Sequence, residues 1–519
     1  MYKERIRRPA LLGKVTSAEL AARLIQDGMT VGMSGFTRAG DCKAVPLALA
    51  AQAKNNPFKI TLMTGASLGN DTDKILAEAG VLARRLPFQV DTVLRRKIND
   101  GTVMFIDQHL SETAEQLRSQ HIGPIDVAVI EAVAITADGG IVPTTSVGNS
   151  ASFAMSAAKV IVEINLAMPL ALEGLHDIYI PENRPWRQPI PLVTPEQRIG
   201  STAIPIDPDR IAAIVFTDKP DSPSTVAPAD RDTQAIAAHL TAFFSREVRA
   251  GRMTSSLRPL QAGIGTIANA VLLGMVDAPF HGLKMFSEVL QDSTIDLIDA
   301  GKLDFASASS MTLSQRHYQR VLDNLHVYRS RLLLRPQEIS NHPELIRRLG
   351  LIAINTSLEC DIYGNINSTH VGGTHMMNGI GGSGDFARNA DLAIFVTKSI
   401  AKNGNISCIV PMVSHVDHTE HDVDIIVTEQ GIADLRGLAP RERARTIIDN
   451  CAHPSYRDAL GDYYRDACRH GGHTPHRLQA AVAWHVRYHD EGTMRTQQVD
   501  AARTTPSAAN TQKQAMPIS

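Results

Sequence analysis

The chain has 519 residues, 43% of them apolar and 20% charged, with a formal net charge of −2. That length exceeds one ordinary domain and the composition can fill sizeable cores. A charge this close to neutral excludes a general nucleic-acid binder, and no apolar run approaches the roughly 20 residues of a membrane helix.

Five scattered cysteines (Cys42, Cys360, Cys408, Cys451, Cys468) form no Cys-x-x-Cys pair, the pattern of free thiols in a reducing compartment. The first residues carry basic side chains but no apolar signal core. The expected location is cytoplasmic, with a mitochondrial one as the alternative.

Short β-rich runs alternate with helical segments, which predicts an α/β fold. In the first half, strands are expected at Thr30–Ser34, Lys59–Met63, Thr102–Ile106, Asp126–Ile135, Lys159–Ile164 and Arg210–Phe216, with a helix from Ala44. Residues 217–231, rich in Pro, Ser and Asp, read as a linker between an N-terminal domain (1–216) and a C-terminal domain (232–490). A long helix, Thr233–Ala250, opens the second half. Strands follow near Leu260 and at Leu283–Ser287, Gly350–Asn355, Leu392–Val396, Ile406–Pro411 and Val423–Val427. The tail, 491–519, loses periodicity and is expected to be disordered. Both halves begin strand, Gly turn, helix, strand (30–63 and 259–287), as a duplicated domain would. Only the second ends that unit in Ser287-Glu288; the first ends in Met63-Thr-Gly-Ala-Ser67.

Gly263-Ile-Gly265-Thr-Ile-Ala268 satisfies G-x-G-x-x-A, with Glu288 following the next strand. Read alone, this is a dinucleotide fingerprint with its ribose-binding acid. A carboxylate at that sheet edge can equally serve as a base or a nucleophile, and Glu288 is expected at a strand-to-helix turn. A denser cluster, Asn378-Gly-Ile-Gly-Gly-Ser-Gly-Asp-Phe386, can form a backbone anion nest. Asn341-His-Pro-Glu344 reads as a helix N-cap with glutamate three residues on. His415-Val-Asp-His-Thr-Glu-His-Asp422 is rich in metal-binding types but has no standard zinc spacing, so a hydrogen-bonded polar loop is expected, and no metal.

These motifs, in this order, resemble the acetyl-CoA hydrolase/transferase family of class I CoA-transferases over roughly residues 5–490. The resemblance rests on Gly35-Phe-Thr-x-Ala-Gly, Pro143-Thr-Thr-Ser-Val-Gly-Asn-Ser, Gln261-x-Gly-x-Gly, Ser287-Glu288, Gly379-Ile-Gly-Gly-Ser-Gly-Asp-Phe, the histidine segment and Thr428-Glu-Gln-Gly. It implies two similar open α/β domains with the active site in the cleft between them. It further implies Glu288 as nucleophile, an oxyanion hole from the Asn341 side chain and the Gly382 N–H, and Glu429 lining the site, with Ser67 approaching from the first half. CoA contacts would fall on Gly263, Ile264, Gly265, Thr266, Ile267, Leu358, Gly382 and Lys402. Thr266-Ile267 stands where the family commonly has Asn-Val, so backbone contacts are expected there without one from an Asn side chain.

The implied reaction is CoA transfer between short carboxylic acids through a glutamyl-CoA thioester, with succinyl-CoA and acetate as the leading pair. A propionyl-CoA:succinate pair and net acyl-CoA hydrolysis are the alternatives within that chemistry. CoA enters as a thioester substrate and no permanently bound cofactor is expected; a homodimer is implied by the family alone. From other classes, an NAD-dependent oxidoreductase would use Glu288 to hold ribose, and a non-enzymatic CoA-binding protein would show no turnover.

Overall fold

The computed structural model describes residues 2–225 and 227–496. The first half is built on a seven-stranded parallel sheet. Its strands are β1 (Thr30–Met33), β2 (Ile60–Met63), β3 (Leu82–Leu86), β4 (Met104–Phe105), β5 (Val127–Ala132), β6 (Lys159–Asn165) and β7 (Ile211–Thr217), in the order β4-β3-β2-β1-β5-β6-β7. β5 and β6 are buried almost end to end, as strands covered on both faces must be. Helix α1 (Val45–Asn55) follows β1, and α2 (Glu112–Arg118) follows β4. β3 is absent from the sequence reading because it carries Arg84-Arg85. Arg85 is nonetheless fully buried, donating to Asp73 (3.1 Å) and to the Ala66 carbonyl (3.0 Å).

After residues 218–230, helix α3 (Arg231–Arg249) opens the second half, its start capped by the Asp230 side chain, which accepts the Thr233 N–H. The second sheet contains β8 (Leu260–Ala262), β9 (Leu283–Phe286), β10 (Leu303–Ala308), β11 (Leu332–Leu334), β12 (Ile352–Thr356), β13 (Leu392–Val396), β14 (Ile425–Thr428) and an antiparallel edge, β15 (Gly431–Asp434). Its order is β11-β10-β9-β8-β12-β13-β14-β15. Counted from each half's first strand, the first sheet runs 4-3-2-1-5-6-7 and the second runs the same with an eighth, antiparallel strand at its edge. The duplicated plan thus appears as topology, and in both sheets the order reverses between the first and fifth strands, where open α/β sheets bind ligands. Helices α4 (Thr266–Leu273), α5 (Asp292–Asp299), α6 (Gln337–Ser340), α7 (Pro343–Leu349) and α8 (Ser383–Asn389) surround the site described below.

Several local expectations differ from the structure, among them that the strand expected at Asp126–Ile135 ends at Ala132, with Ala134–Ile135 pairing with Ile141–Val142. Ile406–Pro411 does not join the main sheet: Ile406–Ser407 forms a hairpin with Ile400–Ala401, and Ile409–Val410 pairs with Glu359–Asp361. Glu288 does not run straight into a helix, because Val289–Leu290 first pairs with Ser310–Met311, and α5 starts only at Asp292. Of the expected disordered tail, Glu491 ends a helix and Met494 is buried beside Val410, Val413 and Tyr456, while 497–519 lie outside the described residues.

The halves share one continuous apolar core that includes Ile130 and Ile164 from the first and Leu283 and Ile354 from the second. Backbone hydrogen bonds stitch them as well: Val147 N–H to Ser309 O (2.9 Å), Met311 N–H to Thr145 O (3.0 Å), Gln337 N–H to Gly148 O (3.0 Å) and Asp177 N–H to Leu334 O (2.9 Å).

Candidate active site

Glu288 lies two residues beyond β9, at the carboxyl edge of the second sheet. Its backbone carbonyl accepts the N–H groups of Ser309 (3.0 Å) and Ser310 (3.3 Å). The following Val289 packs with Phe36, Ala66 and Leu110 of the first half. The residue is half-buried, and burial pushes its carboxyl pKa up to about 7 against the opposing hydrogen bond from Asn341. Such a group changes protonation at neutral pH, a common property of reacting carboxylates.

Two partners hold the carboxylate. Asn341 Nδ2 donates to Glu288 Oε2 at 3.0 Å, from a fully buried position. Here the capping expectation fails. Asn341 terminates α6, its N–H bonding the Gln337 carbonyl, while His342 occupies the cap position of α7 without a side-chain cap bond. The asparagine side chain is therefore free to face the glutamate. Gly382, at the start of α8, closes the other side: a Cβ there would overlap the Glu288 carboxylate and crowd the Asn341 amide. Only glycine fits this contact. An amide N–H and an uncrowded backbone at one carboxylate are the parts from which an oxyanion hole is made.

The first half holds the glycine segment in place. Asp107 accepts the Ile380 N–H through both oxygens (2.9 and 3.0 Å), and burial pushes its pKa up to about 7. Ser111 donates its hydroxyl (2.6 Å) and its N–H (3.0 Å) to Asp385. Asp385 is buried and its pKa rises to about 7, first through burial and then through the nearby Glu288 charge, against Ser111 and Asn341. His418 of the histidine segment bonds the Ser383 hydroxyl at 3.1 Å, and burial lowers its pKa to about 4, so it stays neutral. Asp417 accepts the Ser368 N–H and the Thr369 hydroxyl (2.6 and 2.9 Å), and the His415 ring lies against His370. That segment is a hydrogen-bonded wall beneath the glycines, as its polar-loop reading requires.

The Gly263–Gly265 loop sits at the strand-order reversal, between β8 and α4. Gly265 has φ +127°, a region side-chain-bearing residues rarely adopt, and it leads into α4 at Thr266 and Ile267. Gln291 clamps this loop from the Glu288 segment: its Oε1 accepts the Gly265 N–H (3.0 Å) and its Nε2 donates to the Gly263 carbonyl (2.9 Å). Ile264 is exposed at 42%.

Other residues named from the sequence are less closely joined to Glu288. Glu429, just past β14, accepts from the Ser399 N–H (2.8 Å) and hydroxyl and from Gln430 (2.9 Å). Although burial raises its pKa, these bonds outweigh it and leave the pKa lowered. Leu358 is half-buried beyond β12, its N–H bonding Asn367 O at 2.9 Å. Lys402 is exposed in the hairpin at 400–407, with φ +49°. Ser67 is buried near Ala66, and its carbonyl accepts the Arg38 N–H at 3.3 Å. Among the described residues, no hydrogen bond of these four reaches Glu288. Conversely, Asp385, Ser111 and Gln291 have no assignment from the sequence. Asp385 lies inside the quoted glycine motif, and Gln291 three residues after Glu288; Ser111 carries no sequence signal.

Comparison with known proteins follows the same lines. The acetyl-CoA hydrolase/transferase N-terminal domain matches residues 1–216, and the C-terminal domain of that family matches 318–464. The chain is 50% identical over 496 residues to a succinyl-CoA:acetate CoA-transferase of Clostridium kluyveri, covering 95% of this chain and 92% of the relative. It is 45% identical over 521 residues to an acetyl-CoA hydrolase of Kluyveromyces lactis, covering 96% and 99%. Among solved structures, RipA from Yersinia pestis aligns at a TM-score of 0.66 and 23% identity, covering 90% of this chain and 98% of that one.

Proposed function

The chain belongs to the acetyl-CoA hydrolase/transferase family, enzymes acting on CoA thioesters, and from that premise we propose that it transfers CoA between short carboxylic acids, succinyl-CoA and acetate in the first place. The observation that carries this reading is the Asn341 amide 3.0 Å from the Glu288 carboxylate, with Gly382 allowing no side chain between them.

Ionised Glu288 attacks the succinyl thioester carbonyl, and the C–S bond breaks to give a succinyl-glutamyl anhydride and CoA thiolate. The thiolate attacks Glu288 Cδ, succinate leaves and a glutamyl-CoA thioester forms. Acetate attacks the same carbon and expels the thiolate, which then takes the acetyl group and restores the carboxylate. No net proton moves in either half. Each addition creates an oxyanion, for which the Asn341 Nδ2–H and the Gly382 N–H are the donors. The 263–267 loop, clamped by Gln291, is the CoA-binding element in this scheme, with Leu358 and Lys402 as further CoA contacts and Glu429 lining the site near the transferring group.

The hydrolase is the second reading, favoured by the Kluyveromyces lactis relative. It differs only in whether water or a carboxylate consumes the intermediate. Acyl-CoA consumption measured with and without acetate separates the two: dependence on acetate supports transfer, and equal rates in both defeat it. Mass analysis of the Glu288 peptide after incubation with acyl-CoA should reveal a CoA-sized adduct, which a ribose-binding glutamate would not form.

A further inference from the structure

We propose that Asp385, clamped by Ser111 of the other half, is the positioning residue that keeps the Asn341 amide turned with nitrogen, not oxygen, toward the reacting carbon. The inference rests on Glu288 being the nucleophile. A carboxamide presents two nearly isosteric ends, an N–H2 that stabilises an oxyanion and an oxygen that repels it. Something in the site must choose between them.

The oxygen end is not what is anchored, since Asn341 Oδ1 is buried and has no hydrogen-bond partner among the described residues. The nitrogen end has two acceptors: Glu288 Oε2 at 3.0 Å and Asp385 Oδ2 at 3.4 Å. While Glu288 is a carboxylate, it attracts the N–H by itself. Once it is an anhydride or a thioester, that negative charge is gone, and Asp385, whose oxygens accept the Ser111 hydroxyl and N–H, is the acceptor left to hold the amide. The second half of the reaction begins in that state.

The 3.4 Å separation is long for a strong bond, so Asp385 acts chiefly by making the flipped amide unfavourable, with the amide oxygen facing Oδ2, an acceptor already engaged by the Ser111 N–H. Its own orientation is fixed by the two Ser111 bonds of 2.6 and 3.0 Å. Asp385 also lies in the first turn of α8, the helix that starts at Gly382. Both donors of the oxyanion hole are thus referenced to one helix end and to one serine of the other half.

The test is a double-mutant cycle on Asp385→Asn and Asn341→Ala, followed by kcat, KM for acyl-CoA and adduct mass at Glu288. Asparagine at 385 keeps the shape and can still bond Ser111, so a purely structural role would leave kcat within about threefold of wild type. The positioning role predicts a kcat loss of about 10–100-fold, KM changed by less than about threefold, and no further loss when Asp385→Asn is added to Asn341→Ala. Near-normal kcat in Asp385→Asn, or losses that multiply in the double variant, overturns the proposal. Should Asp385→Asn not fold, Ser111→Ala reads the same coupling: its loss must vanish in the Asn341→Ala background, and persistence overturns the role. A wild-type enzyme with no Glu288 adduct defeats the parent reading; an adduct with multiplying losses defeats only the role of Asp385.

Discussion

The two sheets share one strand order but treat the same position in opposite ways. Two residues past the second strand, the first half has Gly65 and the second has Glu288. At its strand-order reversal the first half is filled with its own charges. Lys43 is fully buried among Asp221 (2.9 Å), Asp41 (3.9 Å) and Glu131, and Glu163 accepts the N–H groups of Lys43, Ala44 and Val45 at the start of α1. Burial alone would lower the Lys43 pKa, but the three acids outweigh it and raise it well above normal. The second half keeps a glycine loop there, with an exposed Ile264. The fold supplies the edge in both copies; in the first it is satisfied from within, and in the second it is left open beside Glu288.

Four measurements can break or sharpen that contrast. The largest effect is expected for Glu288→Ala, which should reduce transfer by about 10⁴-fold or more, as loss of a covalent nucleophile does; steady-state rates that fall less than about tenfold would return Glu288 to a binding role. Asn341→Ala should cost about 10²–10³ in kcat, read as a lowered kcat with adduct formation slowed in proportion. In the first half the effect should be on stability. Lys43→Ala leaves buried carboxylates uncompensated and should destabilise by about 3–5 kcal/mol, seen as a lower denaturation midpoint with kcat of the folded fraction unchanged.

The smallest effect concerns protons. The folded pKa of Glu288, about 7, lies above its unfolded value. Its ionised form therefore costs stability, a cost that grows as pH rises from the unfolded toward the folded pKa and then levels. Glu288→Gln should raise Tm by a few degrees at pH 8 and by less at pH 5. Wild-type kcat/KM should rise with pH through about 7 if this group ionises alone. Equal Tm shifts at both pH values would contradict the assignment.

Much of this architecture is legible in the sequence. The apolar runs of β5, β6 and β13 are continuous because both faces are covered, and the glycine loop with Glu288 follows from spacing. What escapes is set by tertiary contact. β3 hides behind Arg85, whose charge is neutralised by Asp73 far from any strand pattern. Asn341 has the local signature of a cap, yet its side chain answers to a glutamate 53 residues away. The Ser111–Asp385 pair spans 274 residues, a separation no local pattern encodes.

The backbone seam between the halves has a mechanical consequence. Val147, Met311, Gln337 and Asp177 each donate across it, and the Glu288 carbonyl is tied to Ser309, the same residue whose carbonyl receives Val147. Pulling the halves apart would tear the segment that carries Glu288, so they should melt in one cooperative step. The connection through 218–230 is itself tied into both halves, since Asp221 pairs with buried Lys43 at 2.9 Å and the Ser224 N–H bonds the Leu313 carbonyl at 2.8 Å. A protease nick there should leave a particle of unchanged elution volume, held together by the seam and the shared apolar core.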